Sequence, residues 1–197
     1  MPKVRIPSLD EYAAAIKAVA ESIASDFTKP DDDFHPQMQL LPGDGSGIHV
    51  APIPGQLLAS PELKDLLAQR VMAPAIEAVG AKLMSWLMSA WSLEFEGIPR
   101  AEAMARFERA EREGIAVNPD RVEIVILTAI DAHRVLTSTA KIMRTAIGPP
   151  TLGPWEDWSD KYPTGVATGR FVEPLQAALR DSSGRPNPEF LRHMRGA

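Results

Sequence analysis

Residues 81 to 95, Ala-Lys-Leu-Met-Ser-Trp-Leu-Met-Ser-Ala-Trp-Ser-Leu-Glu-Phe, decide the architecture. Leu83, Leu87, Trp91, Leu93 and Phe95 share one parity; Met84, Trp86, Met88 and Ala90 share the other. A strand with that pattern is buried on both faces and so lies in the middle of its sheet. Propensity argues against it, since the segment has no β-branched residue and several good helix formers. Gly80 and Gly97 bracket it and the strands that follow need a partner, so a strand is assigned.

The partner strands lie downstream. Arg121-Val-Glu-Ile-Val-Ile-Leu-Thr-Ala-Ile130 is the most β-like run in the chain, and Arg134 to Thr145 follows it after Asp131-Ala132-His133, which predicts a hairpin. A three-residue loop centred on Ala132 sets Val122, Ile124 and Ile126 on one face with Leu136, Ala140 and Ile142, and pairs Glu123 with Lys141 on the other. Upstream, Gln37-Met-Gln-Leu40 and Ile48-His-Val50 flank the glycine-rich stretch 42–47 as a first hairpin, with His49 sharing the face of Gln37 and Gln39. Pro52 and Pro54 place its second strand at an edge.

Helices fill the rest. Ser8-Leu-Asp-Glu11 has capping-box spacing and opens a helix over about 9–27, ended by Pro30 and the Asp31-Asp32-Asp33 run. Ser60-Pro61 opens a second, which Pro74 kinks and Gly80 stops. Residues 100–113 interleave Arg and Glu around a narrow stripe of Ala103, Met104 and Phe107, as a surface helix does.

The fold expected is α+β: a mainly antiparallel sheet of about five strands, two hairpins plus a central strand, with helices packed on one face. One domain spans 8–158. Residues 159–197, rich in Gly, Pro, Ser and Arg with short helical pieces near 170–180 and 188–194, form an irregular C-terminal extension.

The chain of 197 residues is 45% apolar and 24% charged, ordinary for a globular protein. It has no apolar run near the roughly 18 residues of a membrane span. Its start has no signal-peptide character, which leaves the cytoplasm as the expected compartment. The absence of cysteine excludes disulfides, thiolate metal sites and cysteine nucleophiles. The net charge of −5 resides entirely in residues 10–33, where seven carboxylates face Lys17 and Lys29. The far end is basic, with Arg180, Arg185, Arg192 and Arg195. With Phe190 alone among aromatics there, this is a weak footprint for nucleic acid. The opposite ends, Asp31, Asp32 and Asp33 against Arg185, Arg192 and Arg195, suit docking on a neighbouring copy or a protein partner.

No dinucleotide, P-loop, zincin or nucleophile-elbow motif occurs. Two D-x-H pairs, Asp33 with His35 and Asp131 with His133, carry oxygen and nitrogen donors on one side of an extended segment. With His49 they form an alternative site for a divalent metal and metal-activated water, if the two loops converge. His193 is the fourth histidine. Trp86, Trp91, Trp155 and Trp158 are candidates for an apolar ligand pocket or an interface. The expected function is a non-enzymatic interaction or assembly protein, self-associating or docking on a protein partner. An Asp/His enzyme is the alternative, and no cofactor is otherwise implied. The excess of Arg over Lys and the abundance of Ala suit a GC-rich genome, hence a protein of bacterial or phage type.

Overall fold

In the computed structural model, which describes residues 5–58, 60–93, 97–158 and 172–189, the chain folds around β3 (Ala81–Leu93). Before it come α1 (Leu9–Ser25), β1 (Gln37–Pro42), β2 (His49–Pro52), α2 (Pro61–Leu66) and α3 (Ala73–Val79). After it come α4 (Arg100–Glu113), β4 (Arg121–Ile130), β5 (Val135–Met143), β6 (Thr151–Trp155) and α5 (Val172–Asp181). The six strands form one antiparallel sheet in the order β2-β1-β3-β4-β5-β6. The sixth strand, beyond the five expected, is β6, which overlaps the aromatic segment 152–158 and pairs with β5.

Local chemistry explains the helix ends. At α1 the Ser8 hydroxyl accepts from the Glu11 N–H, and the Glu11 carboxylate accepts from the Ser8 N–H at 2.7 Å. Ser60 caps α2, with Pro61 at its first position. The interruption expected at Pro74 falls just ahead of it. Residues Leu67–Met72 take wider π-helical turns, and the Ala73 N–H reaches back to the Ala68 carbonyl. α3 ends at Gly80, whose φ of +68° favours glycine.

β3 is central and buried on both faces over its first half. Leu83 and Leu87 pack with Val125, Leu127, Ala129, Leu136, Ala140 and Ile142 under α1, which contributes Tyr12, Ala13, Ile16 and Ala20. Met84 and Trp86 pack on the opposite face with Met38, Leu40, Ile130 and Val135, under Leu67, Met72, Ile76 and Val79. Helices therefore cover both faces of the sheet rather than one: two apolar parities on β3 need two covers. Leu175, Ala178 and Leu179 of α5 are buried in the second layer, so residues 172–181, within the segment expected as an extension, complete this core. The part of the expected helical piece 188–194 beyond Glu189, with Arg192, His193 and Arg195, lies outside the described residues.

The β4–β5 register differs from the three-residue loop. Ile130 pairs with Val135, leaving a four-residue link, and Val125, Leu127 and Ala129 face Ala140, Ser138 and Leu136. The Asp131 side chain sets the difference: Oδ1 accepts from the His133 and Arg134 N–H groups at 2.7 and 2.6 Å and closes the turn. A one-residue slip exchanges the faces, so Val125 and Leu127, not Ile124 and Ile126, face α1. In the same way Leu40 pairs with His49, which puts His49 on the face of Leu40 and Gln39 opposite Val50. Gln39 is buried instead in a polar contact under α1. Tyr12 OH donates to the Gln39 carbonyl at 3.1 Å and lies 3.3 Å from Ser85 Oγ, and burial raises the Tyr12 pKa.

Candidate functional site

The acidic run turns inward. Asp32 Oδ2 accepts from the Thr28 and Lys29 N–H groups at 2.6 and 2.8 Å, closing the turn that leaves α1. Asp33 accepts from Ser89 Oγ at 3.0 Å and lies 3.4 Å from Arg144. Arg144 holds Glu123 with a two-pronged contact of 2.6 and 2.7 Å, and its third nitrogen donates to the Pro30 and Asp32 carbonyls. One guanidinium thus ties β5, β4 and the loop after α1, and the Glu123 carboxylate raises its pKa. Elsewhere Asp10 pairs with Arg134 at 2.9 Å and Glu11 with Arg5 at 2.8 Å. Asp31 is exposed. Arg185 belongs to a loop lying on Gly80, with Ser183 Oγ donating to its carbonyl.

Replacing Arg144 by methionine leaves the nearly buried Glu123 carboxylate without its partner. The expected loss is about 2 kcal/mol, a melting temperature lower by roughly 4–8 °C. Lysine at 144 recovers little of this, because an ammonium cannot reproduce the fork. Thermal unfolding of both variants checks it, and unchanged melting would refute the tie.

These carboxylates also couple stability to pH. Accepted hydrogen bonds from Lys29 and Thr28 hold Asp32 below the ordinary carboxylate range; the Arg134 side chain does so for Asp10, the Ser8 backbone for Glu11 and Ser46 for Asp44. The folded state then binds fewer protons than the unfolded state in mild acid. Their contribution is complete above about pH 5 and is lost as pH falls through the depressed values, below about 4. Urea midpoints at pH 7 and pH 3 measure this, with the lower midpoint expected at pH 3.

The two D-x-H pairs do not converge. Asp33 sits beside Ser89, whereas Asp131 follows Ile130, which pairs with Met84. From Ser89 to Met84 is roughly 17 Å at about 3.4 Å per residue. His35 and His133 are exposed at these separate places. His49 is level with Met84 but on β2, with β1 and β3 between it and β4, roughly 14 Å at about 4.8 Å per strand. Among the described residues no three His, Asp or Glu side chains gather as a metal site would require.

The tryptophans separate likewise. Trp86 is buried under the π-helical segment Leu67–Met72 and α3, beside a hollow of about 10 Å³ lined by Ile53, Leu58, Leu67, Met72 and Met88, room for one water-sized group. Trp155 and Trp158 pack on the α1 layer, with the Lys17 ammonium 5.4 Å from the Trp155 ring centre. Trp91 is 41% exposed, its ring covered by the Arg121 guanidinium at 4.6 Å.

Trp91 marks a feature that single-residue motifs do not reveal. β1 accompanies β3 only to Leu87, but β4 follows it to Leu93, so the β3–β4 ribbon runs past β1 and β2 and carries α4 and the turn Ile115–Val117 at its tip. Trp91, Met104, Phe107 and Val117 lie there, and Met143 with the following Ile147 close β5 at the same end. All six are between 41% and 95% exposed. α4 turns Ala103, Arg106 and Ala110 inward while Met104 and Phe107 stay half exposed. Arg106 anchors it to Asp120 at 3.5 Å. The sequence signal was the stripe on α4; its exposure could not be read without knowing what the helix packs against. No helix among the described residues is long and apolar enough to cross a membrane. Comparison with known proteins finds no matching family model, and no match among curated proteins or solved structures.

Proposed function

We propose that this protein is a non-enzymatic assembly protein of bacterial or phage type that self-associates through the α4 end of its sheet. The observation that supports this reading is that Trp91, Met104, Phe107 and Val117, all large, apolar and exposed, lie at the tip of the β3–β4 ribbon, with Met143 and Ile147 exposed at the same end of the sheet. Single exposed apolar residues are ordinary on a protein surface, whereas a group at one place is the usual mark of an interaction site. The acidic and basic chain ends contribute less, because Asp32 and Asp33 already have partners within the chain. Size exclusion with light scattering over a hundredfold concentration range tests it. A mass rising from one chain toward two or more is expected, and a strict monomer throughout refutes self-association.

A further inference from the structure

We infer that α4 is a self-pairing helix, and that two copies of this chain meet through their α4 helices laid antiparallel. The inference rests on the assembly reading above and names its contact. α4 has 14 residues, about 21 Å of helix, and beside its inward line of Ala103, Arg106 and Ala110 it carries Met104 and Phe107, 50% and 47% exposed. In sequence, positions 100, 104, 107 and 111 follow at intervals of four, three and four, the spacing that keeps residues in one line along a helix and forms the seam of a two-helix contact. They read Arg, Met, Phe, Glu.

That order chooses the occupant and its direction. A second α4 laid antiparallel, centred between positions 105 and 106, sets Met104 opposite Phe107 of the other copy, and position 100 opposite position 111. Each end of the seam then brings an arginine to a glutamate. A parallel pair sets Arg100 against Arg100 and Glu111 against Glu111, which repels at both ends. The contact is isologous, every pairing occurring twice about one two-fold axis, as in most closed dimers. Charge permits it in the sum as well. Arg100, Arg106, Arg109 and Arg112 balance Glu102, Glu108, Glu111 and Glu113, so two copies of a protein with net charge −5 meet here through a neutral segment. Trp91 and Val117 are exposed at the same tip. A single pair of helices this short is smaller than a standard interface, so the dimer is concentration-dependent rather than permanent.

Sedimentation velocity on the full chain tests the inference with four variants. The wild-type chain is expected to pass from monomer to dimer with concentration. Phe107→Asp is expected to weaken the dimer about tenfold or more, since it places a charge in the seam. Arg100→Glu or Glu111→Arg alone is expected to weaken it several-fold, and the double reversal to restore it. The reversed pair also puts an acid in the first turn of α4 and a base in the last, which suits the helix dipole. Its folding is therefore secure even if Phe107→Asp unfolds. A dimer that Phe107→Asp and both single reversals leave unchanged overturns the α4 contact while the assembly reading stands. Weakening by the single reversals without recovery in the double overturns the antiparallel arrangement. A monomer at every concentration overturns both readings.

Discussion

Replacing Gly80 by alanine is expected to lower stability by about 2–5 kcal/mol, a large part of the roughly 5–15 kcal/mol that holds a domain folded. Two effects add. Gly80 has φ of +68°, where a Cβ costs about 1–2 kcal/mol. Added there, it would also run into the backbone of Arg185, which lies directly against Gly80. Neither partner can step aside easily. Gly80 terminates α3 and starts β3, its carbonyl accepting from the Gly43 N–H at 3.1 Å, while the Asn187 N–H donates to the Ala78 carbonyl at 2.7 Å. Lys82 Nζ also donates to the Ser182 carbonyl at 2.6 Å. Overpacking against fixed backbone typically costs a further 1–3 kcal/mol. Gly97 provides the control: its φ of +71° is close to that of Gly80, but nothing described lies within 4 Å of an added Cβ. Gly97→Ala should therefore cost only the strain, about 1–2 kcal/mol. Urea unfolding of the two variants separates the effects, and equal losses would show that the 182–187 loop does not rest on Gly80.

Leu175→Ala is the second large effect, with an expected loss of about 2–5 kcal/mol. Leu175 is fully buried between α3 and the sheet, in the cluster of Ile76, Met84 and Ile130, although it lies well beyond the last strand. If residues 172–181 were a loosely attached arm, truncation there would change stability by no more than about 0.5 kcal/mol, as expected for Ile147→Ala at 95% exposure. Equilibrium unfolding of both variants decides between an arm and a core helix.

The legible parts of this fold are those written in short-range chemistry. Ser8 and Glu11 announce α1 because a capping box needs only four residues, and Gly80 announces the end of α3 because only glycine sits easily at that φ. The double apolar parity of 81–93 correctly outweighs its helix-forming composition, because hydrogen bonds to both β1 and β4 compensate a weak strand propensity. That same parity, followed through, also implies helices on both faces of the sheet. The register of β4 against β5 was not legible from apolar pattern alone, since both faces of β4 are apolar. It turns on the Asp131 carboxylate, a single side chain folding back on its own turn.

The candidate site was less legible because its residues meet across the sheet. Arg144 contacts Glu123 and the carbonyls of Pro30 and Asp32, far apart in sequence, so the Asp31-Asp32-Asp33 run looked like a free acidic surface when two of its members are held internally. The aromatic candidates were scattered by the same topology: three of the four tryptophans became packing, and Trp91 alone stayed substantially exposed. What draws attention to the α4 end is where β1 stops and β3 continues, a fact of pairing that no local window contains.

Hydrogen exchange of the full chain, followed by mass spectrometry at low and at high protein concentration, tests most directly whether that end is where copies meet. Amides of residues 97–117 and of the outer half of β3 are expected to exchange more slowly at high concentration, while α3 and α5 exchange at the same rate in both. Slower exchange confined to other elements, or no change anywhere across a concentration range in which the mass doubles, would contradict it.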